Sequence, residues 1–69
     1  MISRVKFEGV MYDLVLKLTA YKGFSLEYYD CIQNKYLFDT WRNGDTIEEV
    51  NQKWTKLLEG KDVEIFYSN

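Results

Sequence analysis

Apolar and polar residues alternate along most of this chain, and the alternation changes phase at identifiable places. Val5 and Phe7 sit on odd positions, whereas Val10, Tyr12, Leu14, Leu16 and Leu18 sit on even ones. A period of two marks a strand with one buried face. The phase switches across Glu8-Gly9, which predicts a two-residue hairpin loop with Phe7 opposite Val10 and Val5 opposite Tyr12. A single bulged strand would also switch phase. The hairpin is favoured because it sets Arg4 opposite Asp13 on the reverse side, beside Lys6 opposite Met11.

The next break is Tyr21-Lys22-Gly23. Read as a three-residue loop with Gly23 in the left-handed conformation, it places Ala20 opposite Phe24, Leu18 opposite Leu26 and Leu16 opposite Tyr28. The reverse side then pairs Lys17 with Glu27, Thr19 with Ser25 and Val15 with Tyr29. A third turn around Gln33-Asn34-Lys35 leads into a predicted strand over Tyr36–Trp41. Tyr36 and Phe38 are expected on the inner face, with Leu37 and Trp41 on the outer one.

Asn43-Gly44 is expected to end the run of strands and a helix to follow, about 46–59. Thr46 with Glu49 three residues on matches a capping box, and acids suit the positive end of the helix dipole. Ile47, Val50, Trp54, Leu57 and Leu58 recur at helical spacing. Gly60 stands where a helix end takes a left-handed residue, and Val63–Tyr67 alternates again as a closing strand. The pattern therefore predicts an α+β fold: a small, mainly antiparallel β-sheet in the order ββββαβ, with one helix packed on one face. One domain is expected to span residues 1–69. Its inner face would hold Val5, Phe7, Tyr12, Leu14, Leu16, Leu18, Phe24, Leu26, Tyr28 and the helix stripe.

Size and composition then narrow the function. A chain of 69 residues has a thin core, burying roughly 60% of its unfolded surface, and self-association is a common supplement. The net charge is −2, without a basic cluster, so nucleic acid is not the expected partner. The N-terminus lacks the apolar run of a signal peptide and no stretch approaches a membrane span. A soluble, cytoplasmic protein without membrane contact is expected. Phe, Tyr, Met, Ile, Asn and Lys outnumber Gly, Ala, Arg and Pro by 27 to 7, a bias toward AT-rich codons that suggests a low-GC bacterium or its phage.

Catalytic chemistry finds little support in the residues. There is no histidine, so Cys31 has no imidazole to activate it, and the neighbouring Asp30 opposes a thiolate. Asp13, Asp30 and Asp39 fall on alternating faces and do not converge as a cation site. The glycines sit at turns and helix ends rather than in a phosphate loop. No catalytic, cofactor-binding or metal-binding residues are assigned.

What remains is the face that one helix does not cover. Met11, Val15, Tyr29, Cys31, Leu37 and Trp41 would lie together there as a contact patch, rimmed by Arg4, Asp13, Lys17 and Glu27. The expectation is a non-enzymatic protein that binds another protein through this patch. Its own copy in a homodimer and a host protein such as a defence factor, which it would inhibit, are the expected partners. The alternative is a single-stranded nucleic-acid-binding accessory protein whose sheet aromatics stack on bases.

Overall fold

The computed structural model describes residues 1–19, 23–39 and 42–68. Among them are six strands and one helix: β1 (Ile2–Phe7), β2 (Val10–Leu18), β3 (Phe24–Asp30), β4 (Lys35–Tyr36), β5 (Arg42–Gly44), α1 (Ile47–Leu58) and β6 (Val63–Tyr67). The strands make one antiparallel sheet in the order β4-β3-β2-β1-β6, and β5 pairs with β3. This is the small α+β fold that the alternation predicts.

The first hairpin forms in the expected register, with Phe7 opposite Val10, Val5 opposite Tyr12 and Arg4 opposite Asp13. Both loop residues have positive φ, 51° at Glu8 and 80° at Gly9. That is the backbone of a type I′ turn, whose twist matches the strands it joins.

The second hairpin corrects the predicted register by two residues. Leu18 pairs with Phe24, Leu16 with Leu26 and Leu14 with Tyr28, while Val15 faces Glu27 and Lys17 faces Ser25. The paired strands therefore end at Leu18 and Phe24, and just beyond them the Thr19 amide donates to the Gly23 carbonyl at 3.3 Å. Gly23 does adopt the left-handed conformation, at φ 78°. A Cβ there would also overlap the Gly44 carbonyl, so close approach of β5 demands glycine a second time.

The predicted strand over Tyr36–Trp41 is corrected: of its described residues only Tyr36 lies in a strand, β4. The turn before it is residues 31–34, where the buried Asp30 carboxylate accepts from the amides of Ile32 at 3.0 Å and Gln33 at 3.3 Å. This turn sets Tyr36 opposite Tyr29, on the outer rather than the inner face. A 3₁₀ turn at Leu37–Asp39 follows, with Phe38 at φ 56°, and it drives Leu37 into the core. The run of strands does end at Asn43-Gly44 before the helix, but both residues lie inside β5, which pairs with Phe24–Leu26 on the same edge of β3 as β4. Trp41 lies outside the described residues.

The helix begins as expected. The Thr46 hydroxyl accepts from the Glu49 amide at 3.1 Å, and the Glu49 carboxylate accepts from the Asp45 amide at 3.1 Å. At the other end Gly60 takes φ 80° and the Lys61 amide donates to Leu58 at 3.0 Å. Val50, Trp54 and Leu58 form its buried stripe. Trp54 is the centre of the core: its indole N–H donates to the Leu26 carbonyl at 2.6 Å, and its ring meets Tyr28 edge-on at 4.9 Å.

Ile2, absent from the predicted inner face, is fully buried beside Val5. Simple alternation would put residues 2 and 5 on opposite faces. A bulge between Ile2 and Arg4, in the β1–β6 pairing, supplies the extra residue that turns both inward. The backbone of Ile2 is held by the inner layer: its amide donates to Asn51 Oδ1 at 3.2 Å, and the Tyr28 hydroxyl donates to its carbonyl at 3.2 Å.

Candidate contact surface

The uncovered face of the sheet carries Arg4, Lys6, Met11, Asp13, Val15, Lys17, Glu27, Tyr29, Tyr36, Glu64 and Phe66, as the ladder registers require. Arg4 Nε lies 2.9 Å from Asp13 Oδ1 across β1 and β2, and Lys6 stands opposite Glu64. Tyr29 and Tyr36 touch, with ring centroids 4.8 Å apart. Lys17 reaches across β3 to both of its partners there. Its ammonium donates to the Tyr36 hydroxyl at 2.8 Å, lies 4.9 Å from that ring's centre and is 3.8 Å from Glu27 Oε2. The hydrogen bond to Tyr36 and, second, the Glu27 charge hold the Lys17 ammonium above its ordinary pKa.

This geometry divides the six residues offered by the sequence. Met11, Val15 and Tyr29 share the outer face, but the Arg4–Asp13 ion pair stands among them: Asp13 lies between Met11 and Val15 on β2 and opposite Tyr29. Cys31 is exposed in the turn after β3 rather than on a strand. Leu37 is a correction, because the 3₁₀ turn buries it in the core. Trp41 is outside the described residues. Of the described members, Met11, Val15 and Tyr29 thus share their face with a charged pair, Cys31 lies in a turn and Leu37 is buried.

Exposed apolar surface gathers elsewhere. Leu16 and Leu18, both expected in the core, are 48% and 79% exposed. Their exposure follows from the first hairpin. Partner numbers in that ladder add to 17 and β1 begins at Ile2, so any residue of β2 beyond 15 has no counterpart in β1. The bulge ends the pairing earlier still, at Arg4–Asp13. Among the described residues, no strand pairs with Leu14–Leu18 on the side away from β3. The β2–β3 hairpin therefore projects beyond β1 as an arm with an open edge and two exposed leucines. Strand lengths alone carried this signal, since a nine-residue strand cannot be covered by a six-residue neighbour.

Among the described residues, no three His, Cys, Asp or Glu side chains converge as a metal site, and no helix is long and apolar enough to cross a membrane. Fold and surface together define the class: a small antiparallel-sheet α+β protein with a projecting, leucine-bearing hairpin. No family model, curated protein or solved structure matches the chain.

Proposed function

We propose that this protein acts by binding protein rather than by catalysis, and that the projecting β2–β3 arm is its contact surface. The observation that supports the reading is the exposure of Leu16 and Leu18 on an edge with open backbone hydrogen-bonding capacity. Exposed apolar side chains beside an unpaired strand are what β-strand addition uses: main-chain bonds give affinity, and alternate side chains give specificity. The outer face serves as a flank to this surface, with Tyr36 against Tyr29 and beneath the Lys17 ammonium, which also lies near Glu27. Inhibition of a host protein, such as a defence factor, is the narrower form suggested by the AT-biased composition.

The test compares two baits, the native chain and a Leu16→Asp/Leu18→Asp variant, in sedimentation and in affinity capture from the source cell. Loss of self-association or of a captured partner, specific to the variant, is expected. Identical behaviour of the two baits overturns the reading. Tight binding of single-stranded oligonucleotides that weakens steeply with salt would replace it with the nucleic-acid alternative.

A further inference from the structure

We infer that the occupant of the open β2 edge is a second copy of the same edge, paired antiparallel about a two-fold axis at Leu16. The inference rests on the contact reading and names its partner. An edge strand offers alternate N–H and C=O groups to any extended chain, and a strand meeting its own copy about a two-fold axis is self-complementary by construction. The open run is Leu14-Val15-Leu16-Lys17-Leu18. Pairing it with itself about Leu16 uses all five residues and no others. Leu14 then faces the partner's Leu18, and Leu16 faces the partner's Leu16, so the exposed leucines cover one another on the inner face. Val15 faces the partner's Lys17 on the outer face.

Neighbouring registers that keep the faces aligned are worse. A centre at Lys17 pairs only Leu16–Leu18 of the open run with one another and leaves Leu14 and Val15 without partners in it. A centre at Val15 drives the partner's strand into positions 12 and 13, which Val5 and Arg4 already occupy.

The placement of Lys17 is the second observation. Sheet proteins guard exposed edges with lysine, whose charge opposes another strand. Lys17 does not guard this one. Its ammonium is drawn across β3 to the Tyr36 hydroxyl on β4 and to Glu27, away from the open side. What remains at the edge is backbone and leucine. The upstream end of the run is left clear by the bulge, because Ile2 is tied to Asn51 and Tyr28 instead of continuing alongside β2. Five paired residues a side lie at the small end of the interface range, so the dimer forms in a concentration-dependent way.

Directed crosslinking tests this on the full chain. In a Cys31→Ser background, Leu16→Cys places two thiols directly opposite each other at a separation that a disulfide spans. Mild oxidation should convert most of the protein to a covalent dimer at concentrations where sedimentation shows association, and Tyr29→Cys should not crosslink. Leu16→Lys should be monomeric while keeping the native far-ultraviolet circular dichroism spectrum. A dimer that crosslinks through Tyr29→Cys and not through Leu16→Cys overturns the edge pairing and leaves the protein-contact reading standing. A chain that stays monomeric at every concentration overturns the edge pairing too, and the contact reading then stands or falls on whether the Leu16→Asp/Leu18→Asp bait loses a captured partner.

Discussion

Tyr12 and Leu18 lie on the same face of the same strand, yet Tyr12 is 4% exposed and Leu18 79%. Residue type does not explain the difference, since leucine is the more apolar of the two. Tyr12 stands in the part of β2 that β1 flanks, opposite Val5 and close to the layer completed by α1. Leu18 stands six residues on, where β1 has ended. Burial in so small a protein is decided by which neighbour extends far enough to cover a position. The covered half is the folding unit, and the projecting half is surface available for contact.

Perturbations should separate the two halves, the largest effects falling in the covered one. Trp54→Ala removes a fully buried ring, its edge contact with Tyr28 and the bond to Leu26, and should cost about 3–5 kcal/mol. Chemical denaturation checks this, and a variant as stable as the native chain would mean that the helix is not seated on Tyr28. Tyr28→Phe should cost about 1 kcal/mol by deleting the buried hydroxyl that donates to Ile2. It should also change the response to alkali. Burial, and then the neighbouring Tyr67, push the Tyr28 phenol above its ordinary range. A free phenol ionises near about pH 10. Above that pH the unfolded chain loses a proton that the folded chain keeps, so the stabilisation is present below this range and is lost as pH rises through it. Tyr28→Phe should flatten part of that fall in denaturation midpoints measured from neutral to alkaline pH. In the projecting half, Leu18→Ser should change stability by less than about 0.5 kcal/mol, as exposed positions do, yet weaken self-association in sedimentation. Equal loss in both measurements would show that the arm is part of the core.

The same division governs what could be read from the chain. The first hairpin was legible to the residue, because Glu8-Gly9 reverses the parity of the alternation and only one short loop does so while pairing Arg4 with Asp13. In the second hairpin the faces were legible and the register was not. Parity is unchanged by a slip of two, and both the expected and the observed registers put Leu16 and Leu18 against apolar partners. Only the length of the connection decides, and the residues between Leu18 and Phe24 mark its length no more strongly than a three-residue loop would. Leu37 was misplaced because a phenylalanine, Phe38, takes a left-handed conformation that its side chain does not announce. Ile2 was missed because a bulge has no counterpart in a period-two pattern. On the face that the helix leaves open, Met11, Val15 and Tyr29 share one side of the sheet as a contact patch would, although the Arg4–Asp13 pair stands among them. The ladder arithmetic, which pointed to the end of β2, was present in the same chain.

The most direct test of the open edge is hydrogen exchange read residue by residue across a range of protein concentrations. Edge pairing predicts that alternate amides within Leu14–Leu18 exchange fast when dilute and become protected as concentration rises, and that Leu16→Lys abolishes the change. Amides there that exchange equally at every concentration, or that are already protected when dilute, would contradict it.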